Sequence, residues 1–338
     1  MQILVTGGCG FIGSNFIHCL IEKHPDYKIV NLDKLTYAGR LENLKDIEKN
    51  PNYRFIKGDI CDAKIVADAM KGCDAVINFA AETHVDRSIA DATAFIRTDI
   101  IGAYTLLEEA LKQKIEKFVQ ISTDEVYGQI LEGSFTENSL LMPRNPYSAS
   151  KAGADRLAYS YFATYGLPVV ITRSSNNFGP CQFPEKIIPL FITNLIEGKK
   201  VPVYGDGMQV RDWLYVRDNC EAIDIALHNG KNGEVYNIGG NIEMPNIELT
   251  KLLLKALGRD NSFIQHVPDR TGHDRRYSMD CSKIRNELGW KPNTEFSKAL
   301  HETLEWYKKN GTWWKPLKQG ADMKKAEAGN LFIKEARK

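Results

Sequence analysis

Short runs of β-branched and apolar residues recur through the first half of the chain, at residues 3–5, 29–32, 54–56, 75–79, 118–121 and 169–172. Between them lie longer stretches whose apolar positions fall three and four apart, at residues 14–23, 64–70, 94–112 and 148–165. Compact apolar runs mark strands, and a period near 3.6 marks helices. Their alternation predicts an α/β fold, a doubly wound parallel sheet covered on both faces by helices. From about Asn176 the texture changes, with Phe178-Gly-Pro and Tyr204-Gly-Asp-Gly punctuating shorter elements such as a strand over 235–238 and a helix over 247–257. Gly and Pro at this density predict a second, smaller α/β lobe rich in loops. The expected division is 1–175 for the main sheet, with some later elements returning to it, 176–317 for the smaller lobe, and 318–338 for a surface tail rich in Lys, Ala and Glu.

Composition narrows the class. A chain of 338 residues with 43% hydrophobic content can bury a large core. Its 44 basic and 43 acidic residues nearly cancel, so no global field selects nucleic acid or an anionic membrane, and any anion site must be local. The N-terminus opens directly on a strand pattern without the basic and apolar regions of a secretory signal, and no apolar run is long enough to span a bilayer, so a cytoplasmic protein is expected. Seven cysteines without C-x-x-C spacing read as reduced thiols rather than as a disulfide framework or zinc site.

The first strand runs into Gly7-Gly8-Cys9-Gly10-Phe11-Ile12-Gly13. Glycines at 7, 10 and 13 permit a tight turn and close approach of backbone to a pyrophosphate, and the helix opening there offers free N–H groups to that anion. Asp33 ends the second strand twenty residues beyond Gly13, where a carboxylate accepts from ribose hydroxyls and repels a 2′-phosphate. This favours NAD over NADP, a preference that the neighbouring Lys34 partly offsets. Asp59, ending the third strand, falls near the adenine or closes an Asx turn.

Tyr147 and Lys151 lie four residues apart in a helical pattern and so share one face. Tyr53 and Lys57 have the same spacing in a strand pattern, where the side chains are about 13 Å apart, and are a chance match. A tyrosine acting as a base must fall from a pKa of about 10, which a close ammonium and a nicotinamide cation favour. Ser122-Thr123-Asp124-Glu125 follows the fifth strand, at the carboxyl edge where such sheets bind ligands. A dehydrogenase or 4-epimerase needs only a hydroxyl and the tyrosine. Removing water across two sugar carbons also needs an acid and a base, and Asp124 with Glu125 supplies both.

These segments resemble those of the dTDP-glucose 4,6-dehydratases, in the extended short-chain dehydrogenase/reductase family. The resemblance rests on Gly7-Gly-Cys-Gly-Phe-Ile-Gly-Ser-Asn, Ala80-Ala-Glu-Thr-His-Val-Asp-Arg-Ser, Ser122-Thr-Asp-Glu-Val-Tyr-Gly, Tyr147-Ser-Ala-Ser-Lys, Arg173-Ser-Ser-Asn-Asn-Phe-Gly-Pro, Pro184-Glu-Lys-Ile-Ile-Pro, Tyr204-Gly-Asp-Gly, Arg211-Asp-Trp-Leu-Tyr-Val and Asp269-Arg-Thr-Gly-His-Asp-Arg-Arg-Tyr, and spans roughly residues 1–317. Cys9, Thr83 and Thr271 depart from the family's usual alanine, serine and proline.

The resemblance implies that Tyr147 deprotonates the C4 hydroxyl with help from Thr123 while hydride passes to NAD. Glu125 then takes the C5 proton, Asp124 protonates the departing C6 hydroxyl, and the hydride returns to C6. It further implies cofactor contacts from Phe11, Ile12, Lys34, Ile60, Phe79, Ala80, Ala81, Thr98 and Asn177. Nucleotide-sugar contacts are implied for Thr83, Asn176, Lys186, Ile187, Pro202, Tyr204, Arg211, Asn246, Asp269, Arg270 and His273. Arg211 and Lys186 are the cations suited to a diphosphate. His84 and His273 lack partners at metal-ligand spacing, so no metal is expected. Relatives pair two helices per subunit into a four-helix bundle, which implies a homodimer with Tyr104, Leu107, Leu157 and Tyr161 in the seam. A UDP-glucose 4,6-dehydratase would share every catalytic residue, and a non-catalytic NAD and nucleotide-sugar sensor is the alternative from another class.

Overall fold

In the computed structural model, which describes residues 1–320, the expected strand runs form β1 (Gln2–Thr6), β2 (Lys28–Asp33), β3 (Tyr53–Lys57), β4 (Ala75–Asn78), β5 (Lys117–Thr123) and β6 (Val169–Ser174). Three short strands follow, β7 (Asn176–Phe178), β8 (Val201–Tyr204) and β9 (Val210–Tyr215), then β10 (Val235–Ile238), β11 (Glu243–Pro245) and β12 (Ile264–Val267). The main sheet has seven strands in the order β10-β6-β5-β4-β1-β2-β3, all parallel. The order reverses between β1 and β4, which opens a crevice at their carboxyl ends.

The strands are largely apolar at their centres because both faces are covered. Ile3, Val5, Ile77 and Val119 pack on one face with Phe16, Ile17 and Leu20 of the Phe11–Lys23 helix and Ala222 and Ile223 of the Val216–Asn229 helix. Leu4, Val30, Val76 and Phe118 pack on the other face with Val66 and Met70 of the Ala63–Met70 helix, Leu106 and Leu107, and Ala158 of the Pro146–Tyr165 helix. Neighbouring residues of one strand thus serve opposite layers. At the carboxyl end a buried ladder crosses three strands, the Thr6 hydroxyl donating to Asn78 Oδ1 (2.7 Å) and Asn78 Nδ2 to Gln120 Oε1 (3.0 Å).

Strand β10 returns to the main sheet beside β6, whereas β11-β9-β7 and β12-β8 form two small sheets of their own. Tyr53 and Lys57 lie on the edge strand β3, where the Tyr53 hydroxyl accepts from Asn31, away from the reacting groups.

Of the surface tail expected over 318–338, the structure describes residues 318–320. A helix spans Gly311–Gln319 and buries Trp314 and Leu317, while Lys318 Nζ bonds Asn194 Oδ1 (2.6 Å) and Glu197 Oε2 (2.8 Å). Two apolar residues four positions or fewer apart suffice to dock one helical turn, a signal the Lys-rich composition masks. Residues 321–338 lie outside the described residues.

Candidate active site

The turn after β1 is built for close approach. Gly7 has φ +69°, and a Cβ there would stand 2.7 Å from the Ala80 amide of the loop after β4. A Cβ at Gly13 would stand 2.4 Å from the Gly7 carbonyl oxygen. Gly10 caps the Phe11–Lys23 helix without a side chain, which leaves the first N–H groups of that helix to face an anion. Asp33 Oδ2 accepts from the Cys9 amide (2.9 Å) and Oδ1 from the Leu35 amide (2.7 Å). Burial pushes that carboxyl up while the two amides oppose the shift, and each oxygen keeps a lone pair for a ribose hydroxyl. Asp59 closes an Asx turn onto the Cys61 amide (2.9 Å), as one of its two readings expects, and also pairs with Lys34 (2.9 Å).

One cavity of about 1070 Å³ runs from this cradle across the carboxyl edge of the sheet. Gly7, Gly10, Phe11, Ile12, Gly13, Asp33, Lys34, Asp59, Ile60, Phe79, Ala80, Ala81, Thr98 and Asn177 line it. So do Thr123, Asp124, Glu125, Tyr147 and Lys151, together with Thr83, Asn176, Lys186, Ile187, Pro202, Tyr204, Arg211, Asn246, Asp269, Arg270 and His273. The chain therefore brings every residue expected at the site to a single cavity.

Within it, the two adjacent acids are treated unequally. Thr123 ends β5, accepts from the Glu125 amide (3.3 Å) and donates to Asp124 Oδ1 (3.0 Å), which folds the next residues into a tight turn. Asp124 is 2% exposed, and its Oδ2 has no hydrogen-bond partner. Burial first, and then the Glu125 charge, push its carboxyl up to about 8. Glu125 is only half-buried and accepts from Asn145 Nδ2 at 3.5 Å. One acid is thus kept protonated at neutral pH beside another that meets the cavity, the division an acid–base pair requires.

Tyr147 stands in the first turn of the catalytic helix, Pro146–Tyr165, which Asn145 caps, and its amide donates to Ser88 Oγ (3.2 Å). Its phenol is pushed well above the usual value by burial and by the charges of Glu125, Asp99 and Asp124, against a bond from Thr123. The lowering expected from Lys151 is therefore not seen in the protein alone, because burial and the neighbouring acids act the other way. Lys151 Nζ donates to the Ile121 carbonyl (2.7 Å), and burial pulls its pKa down against the charges of Asp99 and Asp155. Asp99 sits where residues 93–113 widen into a π-helical turn at Ile96–Gly102. It accepts from Ser150 Oγ (2.6 Å) and the Glu82 amide (2.9 Å), and burial pushes its carboxyl up to about 6.

The cations of the far half are anchored before any ligand arrives. Arg211 donates to the carbonyls of Val210 (2.8 Å) and Asp274 (3.0 Å) and stacks over Tyr277. Lys186 Nζ donates to the Thr83 carbonyl (2.6 Å). His273 Nδ1 shares a proton with Asp269 (2.6 Å), and burial together with Arg270 and Arg211 pulls its pKa down to about 3. Oδ1 of Asn176, Asn177 and Asn246 is buried without a protein partner. Buried orphan acceptors in a polar cavity fit hydroxyl- and amide-bearing ligands.

The model of the GDP-mannose 4,6 dehydratase family matches residues 4–303. The dTDP-glucose 4,6-dehydratase of Streptomyces niveus is 51% identical over 322 residues, covering 94% of this chain and 96% of that protein. The chain belongs to the dTDP-glucose 4,6-dehydratase family. DesIV, the family's enzyme from Streptomyces venezuelae solved with NAD and TYD bound, superposes with a TM-score of 0.92 at 50% identity, covering 94% of this chain and 100% of that one. The UDP-glucose 4-epimerase of Thermotoga maritima, solved with UDP-glucose, also superposes, with a TM-score of 0.85 at 32% identity over 91% of this chain and 99% of that one. The scaffold is thus shared by epimerases and dehydratases, and the fold alone does not choose between them.

The cavity also contains residues that the motifs did not single out. His84 lies in the wall, its Nδ1 accepting from the Arg87 amide (3.3 Å); burial and the Lys186, Arg87 and Arg270 charges pull its pKa down to about 2. Glu82, Gln182, Glu185 and Lys318 line the cavity as well. Glu185 stands inside the quoted Pro184-Glu-Lys segment, so adjacency to Lys186 was the available signal. Lys318 had none, since its partners are over a hundred residues away. Outside the cavity, His24, Asp224 and His228 meet between two helices, and Asp224 pairs with both histidines and Lys23.

Proposed function

We propose that this protein converts dTDP-glucose to dTDP-4-keto-6-deoxyglucose and water, as an NAD-dependent nucleotide-sugar 4,6-dehydratase. The observation that carries the reading is the buried Asp124, its carboxyl pushed up to about 8, beside the half-buried Glu125 in the same cavity as the dinucleotide cradle. Tyr147 takes the proton of the C4 hydroxyl, and Thr123 steadies that oxygen. The 4-ketone so formed acidifies C5, from which Glu125 removes a proton. Asp124 gives its proton to the C6 hydroxyl, which leaves as water. NAD, when bound, supplies the electron-pair acceptor at C4 and the donor at C6, and its cationic ring the positive charge that Tyr147 needs.

Gly7, Gly10 and Gly13 hold the pyrophosphate, Asp33 the ribose, and Lys151 the nicotinamide side. Arg211, Lys186, Arg270 and His273 take the nucleotide-sugar diphosphate, with Asn176 and Asn246 supplying acceptors. The enzyme acts in the cytoplasm as a homodimer. Ile101, Tyr104, Tyr159 and Tyr165 stand 41–57% exposed on the two helices that would form a four-helix bundle, which supports that arrangement. Of the expected seam, Leu107 and Tyr161 are buried and Leu157 is partly buried, and all three pack against the chain's own sheet core, so the seam shifts to the exposed set.

The test is to incubate purified protein with dTDP-glucose and, separately, UDP-glucose, without reductant, and to follow the mass. Loss of one water from dTDP-glucose is expected. An unchanged mass for both sugars rejects the dehydratase, and loss only from UDP-glucose reassigns the base.

A further inference from the structure

Three segments far apart in sequence converge on one carboxylate at the wall of the cavity. Glu185 precedes the Ile187–Ile196 helix, and its side chain is 2% exposed. Its Oε1 accepts from the Tyr37 hydroxyl at 2.6 Å. Its Oε2 meets Arg87 at 3.5 Å and His84 Nε2 at 3.6 Å. The Arg87 guanidinium in turn lies over the Tyr37 ring, 3.8 Å from its centroid. Phe183 meets the same ring edge-on at 5.2 Å and packs with Leu317 of the last described helix.

The positions of these segments give the cluster its meaning. Tyr37 belongs to the loop that leaves Asp33, and its neighbours Thr36, Ala38 and Gly39 line the cavity. Arg87 sits on the Val85–Ala90 helix, directly after the Ala80–His84 wall. Glu185 and Phe183 come from the opposite side, after β7. Both sides of the dinucleotide half are therefore tied through a single desolvated anion. Parting them would strip that anion of its donors before water could replace them, a costly step.

We propose that Tyr37, Arg87 and Glu185 form a clasp that retains the dinucleotide in the cavity between and during turnovers. The inference rests on the dehydratase reading, in which one cofactor molecule must return the electron pair it has accepted. A cofactor lost midway would leave a 4-keto nucleotide sugar and a spent enzyme. Retention is then part of the chemistry, and the clasp is its structural basis.

The experiment measures release of bound NAD after dilution into an excess of labelled NAD, for the wild type, Tyr37→Phe and Glu185→Gln. Tyr37→Phe keeps the ring and its packing, and circular dichroism checks its fold. Release roughly tenfold faster in each variant, with cofactor lost on gel filtration, is expected from the loss of a hydrogen bond to a buried charge. Equal release rates in all three proteins overturn the clasp. Should Tyr37→Phe prove unstable, Glu185→Gln decides alone, since the amide has nearly the same volume. A wild type that holds NAD tightly yet leaves dTDP-glucose intact rejects the dehydratase reading and not the clasp; one that dehydrates the sugar but releases NAD as fast as the variants rejects the clasp and not the dehydratase.

Discussion

Asp124 and Glu125 are neighbours of the same chemical type, and their surroundings assign them opposite tasks. In the proposed mechanism the protonated form of Asp124 is the active one, and its carboxyl is pushed up to about 8, so turnover should fall as pH rises through that value. Asp124→Asn should cut turnover about 10²–10⁴-fold and remove that limb from the pH profile. A variant with an unchanged alkaline limb would show that another group is the acid. For Glu125→Gln the expectation is different: C4 oxidation persists and reduced cofactor accumulates, while solvent deuterium no longer enters C5. Deuterium entering at the wild-type rate, followed by mass spectrometry, would remove Glu125 as the base. The identities of both acids were legible in the sequence from their place after β5. Their division of labour was implied only by the family resemblance, and the unequal burial beneath it was not legible, since desolvation depends on how much protein surrounds each side chain and not on its neighbours in the chain.

At the scale of elements, the turn that carries the acids is held by a buried strut. Arg173 of β6 donates two bonds of 2.9 Å to Asp155 on the catalytic helix and one of 2.7 Å to the Tyr127 hydroxyl at the end of the turn. Tyr127 continues to Asn237 of β10 (2.7 Å). Burial alone would raise the Asp155 carboxyl, but Arg173 holds it below the usual range. Arg173→Met should leave Asp155 buried with only the half-exposed Arg156, at a cost of about 3–5 kcal/mol. A lowered urea midpoint would register it, and an unchanged midpoint would discard the strut. The main-sheet strands and the helices expected between them were readable from periodicity to within a few residues, whereas β8, β9, β12 and the helices Ile187–Ile196, Val216–Asn229 and Phe296–Lys309 were not predicted. The π-helical turn at Ile96–Gly102 was not, because nothing local in Ile-Arg-Thr-Asp-Ile-Ile-Gly departs from an ordinary helix pattern. It is stabilised by what Asp99 meets in space.

For the whole molecule, the uncovered Tyr104 and Ile101 predict that the wild type runs at twice the chain mass by light scattering, and that Tyr104→Glu shifts it toward the single chain. A wild-type monomer at micromolar concentration would reject the dimer. A ligand that spans both halves of the cavity should also raise the melting temperature, since saturation at 100 times Kd adds about 2.7 kcal/mol. The amino-acid sequence by itself determined the alternation of strands and helices, the glycine turn after β1 and the order of reacting groups along the chain. Those features are set by backbone sterics and side-chain periodicity over a few residues. Only the tertiary structure decided that β10 closes the main sheet, that Lys318 and Leu317 dock against residues over a hundred positions earlier, and that Tyr37 meets Glu185 across 148 residues. Contacts of that range, and the burial that raises the pKa of Asp124 and of Tyr147, exist only once distant segments exclude water together.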